Sequence, residues 1–261
     1  MLNGKRRNAD LLILCYHAVS RSWTSPLAVR PDRLEAQVRF LLRRGFAART
    51  LAEALARPSA RTLVVTFDDA YRSVATEGFP VLDRLGVPAS LFVPTDIVDN
   101  SGPMTDLIRI PDDWVADDEE DMRAMSWEDV RRLAAAGWEV GSHTCSHPRL
   151  TQLSAGEALA ELTRSRSICE SRLQRACDSF AYPFGSYDEQ AMRLACEAGY
   201  GRAVTLELRL LAPLRGRGPM SLPREGIYPT TNWPKFLVNT SILVRRARAS
   251  AAYAALASDL Q

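Results

Sequence analysis

The feature that most limits how this chain can fold is an alternation. Short apolar runs rich in β-branched residues are separated repeatedly by stretches with the period of an amphipathic helix. Leu11–Cys15, Leu63–Phe67, Ala89–Val93, Trp138–Val140, Ser179–Tyr182 and Gly201–Thr205 read as strands. Pro31–Arg44 carries Leu34, Val38 and Leu41 at helical spacing and stops at Gly45. Thr50–Arg57 is a short helix ended by Pro58, and Tyr71–Leu85 is a helix closed by Gly86, interrupted near Gly78 and Pro80. Ser126 caps a helix over Trp127–Ala136 with Gly137 behind it, and Ser154 caps a long one reaching about Arg175. Asp188–Ala198 follows, closed by Gly199; Leu222-Pro223-Arg224 opens a last strand, and Phe236–Leu256 reads as a C-terminal helix. Strand–helix units at this spacing imply parallel strands joined by right-handed crossovers. The expected architecture is a single α/β domain over residues 1–261, a distorted parallel barrel with fewer than eight complete units.

Thr95 to Met125 breaks the alternation. It has no clear period, carries the acidic run Asp112–Asp121, and is long for a connection, so it reads as an insertion or lid. Charge elsewhere is balanced. A net charge of +2 gives no case for nucleic acid, and Arg245-Arg246-Ala247-Arg248 reads as a solvated helix face. No stretch approaches the roughly 18 apolar residues of a membrane span. Leu11–Cys15 is too short for a signal peptide and runs straight into Tyr16-His17. The five cysteines are scattered without metal spacing, as reduced thiols in a cytoplasmic protein would be.

Two strings carry chemistry. Thr66-Phe67-Asp68-Asp69 places two carboxylates at the end of a buried strand. Ser142-His143-Thr144-Cys145-Ser146-His147-Pro148 holds two of the chain's three histidines at i, i+4, which face one side if the segment turns like a helix. One carboxylate and two imidazoles form an open three-ligand site that keeps a position for water. The second carboxylate is then free to act as a base on that water. Both strings, and the turn Tyr182–Gly185, follow strands, and C-terminal strand ends form the working face of a parallel barrel. Cys145, between the histidines, reads as a filler pointing away from them.

With these motifs in place, the chain resembles the polysaccharide deacetylases, the metal-dependent esterases of carbohydrate esterase family four. Thr66–Asp69 is similar to that family's first motif, His143–Pro148 to its second, and Phe180-Ala181-Tyr182-Pro183-Phe184-Gly185 to its third. Leu14-Cys15-Tyr16-His17 resembles the N-terminal motif of a subgroup acting on exopolysaccharide. The resemblance covers about residues 11–228 and implies a distorted (β/α) barrel with about seven parallel strands. It implies a divalent metal, zinc first with cobalt, nickel or iron as alternatives, on Asp69, His143 and His147, with Asp68 as general base. His17 would be the general acid, since no histidine follows His147. The backbone N–H of Phe184 would hold the oxyanion, and Tyr182, Pro183 and Trp127 would line the substrate, with Trp138 and Trp233 as further stacking candidates. Two departures stand out. Ala181 replaces an arginine that orients the base, a role Arg224 could take over. Ala70 replaces a common glycine, at little cost if its φ is negative. The implied reaction is removal of N-acetyl from an amino sugar of a glycan, glycolipid or sugar-containing precursor. A non-sugar amide or ureide, or an inactive carbohydrate-binding domain, are the competing readings.

Overall fold

The apolar runs become strands and the periodic stretches become helices. The computed structural model describes residues 10–100, 104, 119–206 and 218–250. In chain order these form β1 (Asp10–Tyr16), β2 (Ala18–Val19), β3 (Ala28–Val29), α1 (Pro31–Arg43), β4 (Ala47–Ala48), α2 (Leu51–Ala56), β5 (Arg61–Phe67), α3 (Phe79–Arg84), β6 (Ala89–Val93) and α4 (Trp127–Ala135). There follow β7 (Glu139–Ser142), α5 (Ala155–Leu173), β8 (Ser179–Ala181), α6 (Glu189–Glu197), β9 (Arg202–Val204), β10 (Glu225–Gly226), α7 (Trp233–Thr240) and α8 (Ile242–Arg248).

The main sheet runs β10-β1-β5-β6-β7-β8-β9, and every neighbouring pair is parallel. β4 pairs with the foot of β5. Leu222 pairs with Val204, while Glu225–Gly226 pairs with Leu14–Cys15. One short segment therefore touches both edges of the sheet, and the strands curl into a seven-stranded distorted barrel. Pro223, which has no N–H, sits in that segment between its two partners.

Side chains alternate across each strand. Leu12, Leu14, Leu63, Val65, Phe67 and Leu91 belong to the large core cluster, together with the helix residues Leu34, Val38, Leu133 and Leu162. The alternate set, Ile13, Val64, Phe92, Ala181 and Val204, fills the barrel with Leu51 and Ala54 of α2. α2 plugs the N-terminal mouth: its first N–H groups, on Leu51 and Ala52, donate to Ser90 Oγ and Glu139 Oε2. Gly141 is needed in this interior, because a Cβ there would lie 2.6 Å from the Ser179 carbonyl and 2.7 Å from the Phe92 ring.

Some elements depart from the expected limits, each for a local reason. Trp138 does not open β7; its N–H donates to Leu133 O and closes the turn after α4. The helix expected over Tyr71–Leu85 is a wide π turn, Val74–Gly78, followed by α3. Pro80 has no N–H to return to Thr76, which explains the widening. The C-terminal helix starts early, at Trp233, because Asn232 caps it by accepting the Lys235 N–H at 3.0 Å. It breaks at Ser241, whose backbone is extended (φ −64, ψ 125), and residues 251–256 lie outside the described residues. Most of the acidic run Asp112–Asp121 also lies outside them. The described ends of segment 95–125 pack down: Met104 and Met125 are buried, Ala124 pairs with Tyr71, and Met125 N–H donates to Ala70 O.

Candidate active site

Strand register brings the sequence strings together. Tyr16 pairs with Phe67, so His17 and Asp68 leave adjacent strands side by side, and Asp68 N–H donates to Tyr16 O. Val93 pairs with Ser142, and His143 N–H donates to Val93 O at 2.9 Å. Immediately after β5 the backbone turns left-handed at Asp69 (φ 68) and Ala70 (φ 55). The condition for a low-cost alanine at position 70, a negative φ, is therefore not met. An L residue there costs about 1–2 kcal/mol. The fully buried Ala70 methyl group and the hydrogen bond from Met125 offset that cost.

The histidines converge without a helix. Thr144 (φ 68) and His147 (φ 59) fold the string into a tight turn, in which Thr144 Oγ1 accepts the His147 N–H. Glu161 of α5 holds the turn from behind, accepting N–H groups of Cys145 and Ser146. The Cys145 thiol faces the Glu161 carbonyl, away from the imidazoles, as expected of a filler.

Three donor atoms then meet. Asp69 Oδ1 lies 3.4 Å from His143 Nε2 and 3.2 Å from His147 Nε2, and the two Nε2 atoms are 3.2 Å apart. A tetrahedral ion with bonds of about 2.0–2.1 Å separates its ligand atoms by about 3.3–3.4 Å. The triangle therefore has the size such an ion requires. Asp69 Oδ1 is buried and otherwise unsatisfied, which a cation would cure. His143 Nδ1 donates to Ala181 O at 2.8 Å, fixing the tautomer that leaves Nε2 free to coordinate. Burial raises the Asp69 carboxyl, but the neighbouring histidines outweigh it and hold the pKa well below the usual carboxylate value. Burial keeps His147 below its ordinary pKa, so its ring favours the neutral, ligating form.

Asp68 has a different environment. Arg224 grips it with both arms: Nη1 donates to Oδ1 at 2.7 Å and Nη2 to Oδ2 at 2.6 Å. The same guanidinium donates to Thr66 Oγ1 and to Thr205 O, and its carbon lies 5.5 Å from the centre of the Phe92 ring. Arg224 is among the largest fully buried side chains of the protein, and it lies beside the strand segment that closes the barrel. Burial alone would raise the Asp68 carboxyl; Arg224 is the largest opposing influence, and the net shift is downward. A buried arginine thus contacts Asp68 from the segment just before β10.

Sequence reasoning missed Cys15. Its thiol donates to Asp68 Oδ2 at 3.4 Å, and burial pushes its pKa well up, so it stays a thiol. Oδ2 of Asp68 therefore accepts two bonds and Oδ1 only one, which leaves Oδ1 the more open oxygen. A cysteine inside a strand gives no sign of this; the register, with Cys15 opposite Thr66, does. The ligating atoms of Cys15, His17 and Asp68 lie within 4.8 Å of one another. His17 stacks against Tyr228 (centroids 6.1 Å, 25°), with Nδ1 buried and unpartnered.

Phe184 has a left-handed backbone (φ 57), and its ring lies 4.5 Å from that of His147. Pro183 is buried beneath it. Tyr182 is 1% exposed and its hydroxyl donates to Met220 O, which makes it a wall of the turn rather than an open surface. Trp127 is corrected: it is 2% exposed at the start of α4, packed in the core, and shows no open face for a sugar. Trp138 stacks flat on Phe67 inside the same core, whereas Trp233 is partly exposed beside Phe40.

Comparison with known proteins agrees with this geometry. A Bacillus subtilis (strain 168) protein, YxkH, whose name assigns it provisionally to the polysaccharide deacetylases, is 26% identical over 227 residues, 85% of this chain and 72% of that one. A chitooligosaccharide deacetylase of Bradyrhizobium sp. (strain ANU 289) is 27% identical over 141 residues, 53% of each protein. The fold matches Streptococcus pyogenes deacetylase PplD, solved in complex with acetate, with a TM-score of 0.72 at 21% identity, over 90% of this chain and 99% of that one. IcaB from Ammonifex degensii gives 0.69 at 24% identity, over 89% and 97%. Residues 56–203, which carry both the Asp68-Asp69 strand end and the His143–His147 turn, match the polysaccharide deacetylase family model. A match over more than half the chain that includes every side chain of the three-donor triangle settles its membership: the chain belongs to the polysaccharide deacetylase family.

Proposed function

We propose that the protein is a metal-dependent hydrolase that removes the N-acetyl group from an amino sugar and releases acetate. The observation that carries this reading is the triangle of Asp69, His143 and His147, with 3.2–3.4 Å sides, standing beside a carboxylate that is not part of it. Zinc suits the N/O donor set and its tetrahedral spacing, with cobalt, nickel or iron as alternatives. A divalent ion at that point supplies the positive charge that acidifies water and polarises an amide carbonyl.

The chain's own residues do the rest. Asp68, fixed by Arg224 and Cys15, takes the proton of the attacking water on Oδ1. The N–H of Phe184 donates to the oxygen that gains negative charge. His17, on the strand next to Asp68, gives a proton to the departing nitrogen as the C–N bond breaks. The amine leaves protonated and the acyl group leaves as acetate. Three converging donors, a separate carboxylate beside them and a histidine next to that carboxylate support this reading over an inactive binding module. Five free cysteines fit a reducing, cytoplasmic setting, which would make a soluble or lipid-linked sugar precursor the natural substrate.

Elemental analysis of the purified protein tests the proposal. Wild type is expected to carry about one divalent ion per chain, and His143→Ala far less. Equal content in the two would sink the metal assignment.

A further inference from the structure

One cation at the lip of this site has no part in the chemistry above. Arg149 follows His147 and Pro148 directly. Its guanidinium carbon lies 4.1 Å from the centre of the Phe184 ring, and that ring lies 4.5 Å from His147. Arg149 is exposed. Stacking occupies a face of the guanidinium and leaves its edge, a planar fork of N–H donors, for a ligand. It also restrains a side chain that would otherwise be mobile, so less entropy is lost when the fork is used.

No carboxylate neutralises it among the described residues. The acids of the neighbouring loops have other partners. Asp96 pairs with Arg164 at 2.8 Å, and Asp99 accepts the Trp127 N–H. Glu161 accepts the N–H groups of Cys145 and Ser146. The Glu157 carboxylate accepts the Ser154 N–H and hydroxyl in the capping box of α5, and Asp188 caps α6. Deeper in the site, Arg224 already balances Asp68. Among the described residues Arg149 is therefore a positioned positive charge without a paired carboxylate, one aromatic ring away from the donor triangle. A neutral chitin-type oligomer offers it hydroxyl and carbonyl acceptors but no opposite charge.

We infer that Arg149 selects substrates in which the acetylated amino sugar carries an oxyanion, phosphate or carboxylate, close to the N-acetyl group. This rests on the deacetylase reading of the site. The oxyanion accepts the N–H groups of the Arg149 fork while the N-acetyl group lies at the triangle. Phe184 couples the two positions, because its ring contacts both Arg149 and His147 and its backbone N–H serves the carbonyl.

Calorimetry with the deacetylated sugars tests this without requiring turnover. The probes are glucosamine 1-phosphate, muramic acid and glucosamine, titrated into metal-loaded wild type, Arg149→Gln and Arg149→Lys. Wild type is expected to bind one of the anionic sugars about tenfold or more tightly than glucosamine, and the advantage should shrink as salt is added. Arg149→Gln should lose the advantage and keep its affinity for glucosamine, while Arg149→Lys keeps part of it. Whichever anionic sugar shows the advantage tells phosphate from carboxylate. The proposal is overturned if wild type binds neither anionic sugar better than glucosamine. It is also overturned if Arg149→Gln weakens all three equally, which would make Arg149 a brace for Phe184. Anion selectivity without acetate release from the matching N-acetylated sugar would keep the Arg149 site and sink the deacetylase reading.

Discussion

Asp68 is buried, charged and gripped from two sides, and its position depends on Arg224 more than on any other residue. A guanidinium reaches both carboxylate oxygens in one plane, which an ammonium cannot do. Arg224→Lys is therefore expected to keep the charge and lose the orientation, with kcat falling about a hundredfold at unchanged metal content. Turnover at the wild-type level would show that the fork does not position the base. His17 calls for a different test, because its proposed task is to deliver a proton. His17→Ala should lower turnover on an acetamide while sparing an activated acetate ester, whose leaving group needs no proton. Equal loss on both would make His17 structural. The four residues of the Asp-Asp and His-His strings are legible in the sequence because each string is short and its chemistry is local. Arg224 is legible only as a guess, since 156 residues separate it from Asp68 and only barrel closure brings them together. Cys15 falls inside the Leu14–His17 string, but nothing in that string marks its thiol as a partner of Asp68.

At the scale of elements, the site depends on tight chain reversals at strand ends. Left-handed residues at Asp69, Ala70, Thr144, His147 and Phe184 cluster there, and each turns the chain sharply where a side chain must point back over the barrel. The interior has to be narrow for these turns to meet, and Gly141 shows how narrow. Gly141→Ala is expected to lower stability by about 1–3 kcal/mol in urea unfolding, because the new Cβ must displace the Phe92 ring or the Ser179 carbonyl. No change would mean that the barrel has slack at that level. The caps at Ser126 and Ser154 follow from sequence, since a capping box is a four-residue signal, while Thr50, read as the first helical residue, proves to be a third such cap. The two-residue strands β2, β3 and β4 do not, because two residues have no period. Nor does the break at Ser241: Asn239-Thr240-Ser241 interrupts the apolar run there, but no glycine or proline marks a helix end.

Across the whole molecule, fold and site share one device. The segment 222–226 joins the last strand to the first, completes the barrel, and carries the buried Arg224 that holds Asp68. Closure and catalytic geometry should therefore fail together. Metal binding should also be linked to stability, because the donor triangle exists only when β5 and β7 are correctly placed. A ligand that binds only the native state at about a hundred times its Kd adds about 2.7 kcal/mol. Stripping the metal with a chelator is expected to lower the Tm of wild type, re-adding zinc should restore it, and His143→Ala should respond to neither.

The most direct test of the division of labour between the two adjacent aspartates is one comparison. Acetate release from an N-acetylated chitooligosaccharide or an N-acetylated sugar phosphate is measured for wild type and Asp68→Asn, with metal content determined on the same samples. Asp68→Asn is expected to hold as much metal as wild type and to release acetate roughly 10²–10⁴ times more slowly. Near-normal release by Asp68→Asn, or loss of its metal along with its activity, would contradict the assignment of Asp68 as base and Asp69 as ligand.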